Sequence, residues 1–370
     1  MSRSIYALLL VLTLICPALL HADDLGDADG AAPPAARRQQ PAADPAPDPQ
    51  PHHHHHGAGG DDSPGRPDAY APVGVMGEHM HPAGGWMLSY RYMFMNMDGS
   101  RDGDSRVGDG SVLRQYPITP TAMDTQMHMF GAMYAPIDQV TLMAMLPLLQ
   151  KDMDHITRTG GKFDVSTFGV GDFKLSAMVR LWENETHHFH LNAGMSFPTG
   201  STTEKDDTPM GNVRLPYPMQ LGSGTYDILP GVTYTGQADA WSWGAQASGV
   251  IRTGRNDEGY RWGHGYELTA WGAKPWTEWV STSLRLKWKD AGNISGSDSR
   301  FNPRLVPTAD PDLRAFGRLD VGVGLNFLIP GGPLKGNRFA VEGLFPVYQH
   351  VDGPQLEQDW MVTAGWQYEF

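Results

Sequence analysis

From Trp86 to the C-terminus, apolar and polar residues alternate with a period of two, and no helical stripe interrupts the pattern. Trp86, Leu88, Tyr90, Tyr92 and Phe94 share one parity, and Met87, Ser89, Arg91, Met93 and Met95 the other. Further along, Phe173, Leu175, Ala177, Val179 and Leu181 oppose Asp172, Lys174, Ser176, Met178 and Arg180. Val280, Thr282, Leu284, Leu286 and Trp288 oppose Ser281, Ser283, Arg285, Lys287 and Lys289. Strands are predicted near 86–97, 122–135, 139–150, 168–182, 187–198, 224–236, 241–253, 262–274, 279–289, 315–328, 338–348 and 360–370.

A soluble sandwich also alternates, but here charged faces recur on strand after strand while the apolar faces end in aromatics such as Trp241, Trp243, Trp360 and Trp366. That combination marks a transmembrane β-barrel, which must close because lipid cannot satisfy an open strand edge. The connections support it. Short turns at "PIDQ", "ENET", "GQADA", "PWTE" and "PGGPLKGN" alternate with longer segments around 98–121, 151–167, 199–223, 254–261, 290–314 and 349–359. The predicted fold class is all-β: an antiparallel transmembrane barrel of about 12 strands with both chain ends in the periplasm.

The N-terminal part has a different character. Residues 1–22 read as a secretory signal peptide, with Arg3, an apolar run from Ile5 to Leu20, and Ala22 before Asp23. Residues 23–70 are rich in Ala, Pro, Asp and Gly and poor in large apolar groups, so a disordered periplasmic tail is expected there. This leaves 71–370 for the barrel. The tail carries His52, His53, His54, His55 and His56, a run that either chelates metal loosely or is simply solvated. Cys16 is the single cysteine, so removal of the signal leaves neither a disulfide nor a thiolate metal site. The formal charge of −13, with no basic cluster, argues against nucleic acid.

Several stretches carry a resemblance: "GVMGEHMH", "WMLSYRYMFMNMDG", "MHMFGAMYAPIDQVTLMAMLP", "LPYPMQLGSGTYDILPG" and "DGPQLEQDW". Over about 74–370 the chain resembles bacterial outer-membrane proteins called transporters, grouped with the MetA-pathway phenol-degradation family. The resemblance implies an outer-membrane location in a Gram-negative bacterium. Met- and His-rich relatives imply a link to copper or other heavy metals. The ending "WQYEF", with Trp366, Tyr368 and Phe370, resembles the signal that such barrels present to their assembly machinery.

The candidate chemistry lies mostly on the inward parity. Met87, Arg91, Met93, Met95, Met97, Met143, Met145, Asp172, Lys174, Arg180, Arg285 and Lys287 are expected to line the lumen. Met123, Met127, Met129 and Met133 are expected to face lipid, because Asp124, Gln126 and His128 occupy the opposite face of their strand. Just before the first strand, Met76, His79, Met80 and His81 combine thioether and imidazole, a donor set suited to copper; the same residues would also serve as an apolar stopper. No nucleophile motif suggests an enzyme, and no obligatory cofactor is expected, copper being the one candidate. Three functions remain: passive passage of small solutes linked to copper or heavy metals, a channel for aromatic or other hydrophobic compounds, and a metal-sequestering barrel without a through-pore. The expected partners are outer-membrane lipid, the assembly machinery and a small solute or metal ion.

Overall fold

The structure, a computed structural model, describes residues 65–370. The expected signal peptide and His tract lie outside the described residues. Twelve β-elements build the wall: β1 Trp86–Gly103, β2 Ile118–Ile137, β3 Val140–Thr157, β4 Lys162–Val170, β5 Phe173–Glu183, β6 His187–Phe197, β7 Asp227–Gln237, β8 Ser242–Arg252, β9 Gly265–Pro275, β10 Val280–Ala291, β11 Phe316–Leu328 and β12 Asn337–Glu369. Apart from β4, which pairs only with β3, each pairs antiparallel with its neighbours, and β12 pairs with β1 to close the ring. β4 and β5 share one position, β4 pairing with the outer part of β3 and β5 with the inner part.

β12 supplies two staves. Its first half pairs with β11 and its second with β1. The halves turn at Gly353, whose φ of +74° suits only glycine well. They lie side by side: Glu369 N–H donates to Gly336 O, Arg338 to Gln367, and Gln358 N–H to Gln349. Twelve staves result, an even number, as an all-antiparallel ring requires. Every predicted strand has a counterpart, but 168–182 divides at Gly171 and Asp172 between β4 and β5, 338–348 and 360–370 join through the predicted connection 349–359 in β12, and β1 to β3 continue beyond their predicted outer ends.

The wall's two faces follow from the alternation. Leu88, Phe130, Leu142, Leu175, Leu284 and Val323 are exposed outside, whereas Met87, Ser89, Arg91, Thr141, Met143 and Arg285 are buried inside. Trp86, Trp182, Trp241, Trp276 and Trp279 stand exposed near the short turns, where amphipathic rings favour a membrane interface. Among the described residues no helix is long and apolar enough to cross a membrane. Among the described residues the longest helix, α1 Asp109–Gln115, belongs to the first outer loop.

One face assignment is corrected. Met123, Met129 and Met133 are buried in the lumen rather than facing lipid, and Met127 packs there too. Asp124, Gln126 and His128 lie outside instead, paired across to β1: Asn96 Nδ2 donates to Asp124 (2.8 Å), Tyr92 OH to Gln126 (2.9 Å), and Tyr90 OH bonds His128 Nδ1 (2.7 Å). Mutual satisfaction makes these polar groups tolerable on the outer face.

Candidate functional site

Residues 66–85 do not project from the barrel; they fold into it as a plug. Arg66 Nη1 donates to Ala238 O in the β7–β8 turn (2.8 Å), and Ser281 Oγ to Pro67 O (2.9 Å). Arg338 Nη2 donates to Ala71 O (2.6 Å), Arg91 Nε to Val73 O (3.0 Å), and Gly74 N–H to Glu342 Oε2 (2.9 Å). Gln246 reaches Met76 O (2.9 Å), and His81 N–H donates to Thr141 Oγ1 (3.1 Å). The plug therefore touches strands all round the ring. Asp68, Tyr70 and Val75 are buried, so the plug includes residues on both sides of the boundary at 70. Gly74 permits the close approach, since a Cβ there would lie 2.4 Å from Glu342 Oε2.

The lumen has two unlike sides. On one, Met87, Met133 and Met143 stand in register on β1, β2 and β3. They cluster with buried Met129, Met145 and Met178, and Met76 and Met80 of the plug pack against them. A second cluster lies outward, with Met123, Met153, Met219, Val165 and Leu215, against which Met97 packs. Met93 and Met95 share the inward parity of β1 between the two. On the opposite side are ion pairs: Arg285 with Glu267 (3.2 Å) and Glu342 (3.3 Å), and Lys287 with Asp320 (3.3 Å). Lys174 and Arg180 fall on the inward parity of β5, Arg180 pairing with Glu183 (2.6 Å). Asp172 accepts from Gly200 N–H (3.0 Å) and Ser223 N–H (2.8 Å), anchoring an outer loop.

The four predicted metal ligands separate. Met76 and Met80 join the methionine cluster, whereas His79 and His81 meet Glu369 of β12, with one ligand atom from each lying within 4.8 Å of the others. His79 Nδ1 faces Glu78 Oε1 (3.1 Å), and its Nε2 faces Glu369 Oε1 (3.6 Å). Burial alone would raise Glu78, but His79, Arg338 and Arg91 outweigh it and hold the carboxyl at about 2. Burial would lower His79, but the flanking carboxylates lift it to about 9. Burial, reinforced by His79, pushes His81 down to about 4. Burial and the Glu369 charge push the Tyr70 phenol well up. Glu369, Tyr70 and Arg338 were not singled out in the sequence. The one signal for Glu369 was its shared parity with Gln367 at the end of "WQYEF". Trp366, Tyr368 and Phe370 occupy the opposite, outward parity, and Phe370 is exposed.

At the outer end the long loops pack together over the barrel. Ile118, Val306 and Ala309 form a small core with Phe163, Phe301 and Leu305. Beside it is a cavity of about 240 Å³ whose walls include His155, Phe163, Met210, Arg214 and Phe301. Val165 and Leu215 belong both to its lining and to the outer methionine cluster.

The architecture is that of a solved outer-membrane protein, the COG4313 outer membrane channel from Pseudomonas putida F1 (TM-score 0.57, 13% identity, covering 80% of this chain and 100% of that one). A FadL homologue from Pseudomonas aeruginosa is more distant (TM-score 0.41, 10% identity, 83% of this chain and 94% of that one). No curated protein matches the sequence. Over residues 121–299 the chain matches the family described as "Putative MetA-pathway of phenol degradation", the family its motifs resemble.

Proposed function

We propose that this barrel is an outer-membrane channel for the passive passage of small apolar solutes about the size of one aromatic ring. The observation that carries this reading is the apolar cavity of about 240 Å³ at the outer end, contiguous with the outer methionine cluster. Small-molecule sites are concave and mostly apolar, with few polar groups to orient the ligand. Beyond the cavity, thioethers on the inward face of β1 to β3 and on β5 give an apolar, adaptable surface down to the plug. Flux is downhill, driven by the solute's own gradient, and the plug must shift for passage to the periplasm. The family's description and the outer-membrane setting of the structural relative agree with this reading.

The test is uptake of radiolabelled phenol, toluene and glucose by proteoliposomes. Phenol and toluene should enter faster than glucose, and Met210→Trp, which fills the cavity from an exposed position, should slow the aromatics several-fold. Equal aromatic uptake in wild type, variant and protein-free vesicles would refute it.

A second reading is passage of a soft metal ion, favoured by the inner cluster of six buried methionines. Thioethers select Cu(I) and Ag(I) over harder ions. A Cu(I) competition titration decides it: tight binding lost when Met87, Met133 and Met143 become leucine supports metal handling. Sequestration without a pore differs from both in showing no solute flux when the plug is displaced.

A further inference from the structure

We infer that His79, His81 and Glu369 form a binding site for a divalent late transition ion, Zn(II) or Cu(II), that latches the plug to the last strand. This goes beyond the channel reading and does not depend on it. The donor set, two imidazoles and a carboxylate, suits borderline ions rather than Mg(II) or Ca(II), which take oxygen ligands. It equally disfavours Cu(I), whose thioether donors Met76 and Met80 have gone to the methionine cluster.

The geometry supplies three observations. The ligand atoms already lie within 4.8 Å of one another. Bonds of about 2.0–2.2 Å to a common ion need them only modestly closer, which side-chain rotation provides. His81 is 5% exposed, and its Nε2 is buried without a hydrogen-bond partner. An orphaned buried ring nitrogen is costly and calls for an explanation. Its ring also stands edge-on to that of His79, with centroids 4.9 Å apart.

The surroundings are organised as ligands of a metal usually are. Glu78 Oε1 lies 3.1 Å from His79 Nδ1 and Glu369 Oε1 3.6 Å from its Nε2, neither with hydrogen-bond geometry, so the ring stands between two carboxylates. Arg338 Nη1 in turn lies 3.7 Å from Glu78, and Tyr70 OH donates to Glu369 Oε1 (2.9 Å). A carboxylate behind a ligating histidine, itself held by further partners, is the recurrent outer arrangement at such sites. Because two ligands sit on the plug and the third on β12, a bound ion would tie one to the other.

The test uses the full chain isolated from outer membranes, with His52–His56 replaced by serine throughout so that the tract does not contribute. Zn(II) binding is measured by calorimetry, and Cu(II) by electron paramagnetic resonance. One ion per chain is expected, with hyperfine structure from two nitrogens. His79→Gln, His81→Gln and Glu369→Gln should each weaken binding at least a hundredfold, whereas Met76→Leu with Met80→Leu should leave it unchanged. Maleimide labelling of a Val75→Cys plug reporter should slow when Zn(II) is added. Folding is checked by heat-modifiable mobility; should Glu369→Gln fail to assemble, the His81 variant, outside the strands, decides. Absence of binding, or undiminished binding in His81→Gln, overturns the site. Binding that leaves Val75→Cys labelling unchanged overturns the latch.

Discussion

Truncating Arg338 to alanine should release the plug while leaving the barrel closed. The guanidinium is 2% exposed and donates to Gln367 (2.5 Å), Ala71 O (2.6 Å) and Asn326 (2.9 Å). It lies 3.7 Å from Glu78 and 4.2 Å from the centre of the Tyr70 ring. Three of these contacts, to Ala71, Glu78 and Tyr70, hold the plug. Removing one partner of a buried charge pair costs ~3–5 kcal/mol, because the other is left uncompensated. Glu78 keeps His79 at 3.1 Å, so the lower end applies. About 3 kcal/mol corresponds to roughly a hundredfold fall in the docked-to-undocked ratio, at ~1.4 kcal/mol per factor of ten. Val75, 1% exposed in the plug, can report this as a single cysteine once Cys16 is replaced by serine. If opening is fast relative to labelling, the maleimide rate tracks the open population. Arg338→Ala should therefore raise it about a hundredfold. The backbone ladder of β12 is untouched, so heat-modifiable mobility should persist. A change below about threefold in a folded barrel would mean that Arg338 does not hold the plug, and the reasoning from buried charge would fail.

Other expectations follow from the same geometry. Gly74→Leu should likewise expose Val75→Cys and raise single-channel conductance in planar bilayers, because a side chain at 74 would have to displace the buried Glu342 carboxylate, which Arg285 holds at 3.3 Å. Replacing Met87, Met133 and Met143 by leucine should leave assembly intact, since such volume-conserving swaps each cost below about 1.5 kcal/mol; failure to fold would show that sulfur itself is structurally required. Phe370→Ala should lower the amount of barrel recovered from outer membranes in a fractionation assay, since the exposed terminal ring is part of the assembly signal that the sequence resembles.

The wall was legible in the sequence because a strand's period of two is stamped on every segment that separates lipid from lumen. β5 and β10 show this plainly: Lys174 and Ser176, Arg285 and Lys287 all fall on the inward parity. β2 misled for a physical reason. Polarity alone points to the lumen, but Asp124, Gln126 and His128 are each satisfied outside by Asn96, Tyr92 and Tyr90 of β1. Methionine opposite those polar groups points to lipid, yet an interior occupied by a plug is not water and accepts thioethers. The plug itself has no period to read. Several of its contacts are backbone groups, such as the carbonyls met by Arg91, Arg338 and Gln246, and backbone groups leave no trace in composition. The meeting of His79 and His81 with Glu369 was equally invisible, because the residues lie at opposite ends of the chain.

That last separation sets the order of events in biogenesis. Tyr70 and Glu369 are 299 positions apart, and Ala71 and Arg338 are 267 apart. Contacts so distant along the chain form late, after the entropy of closing the intervening loop has been overcome. The plug is synthesised before any stave, yet three of its anchors, Arg338, Glu342 and Glu369, belong to β12, so its seat is incomplete until that strand is in place. Docking of the plug can therefore finish only once the last stave is in place, so the strand that seals the ring also completes the plug's seat.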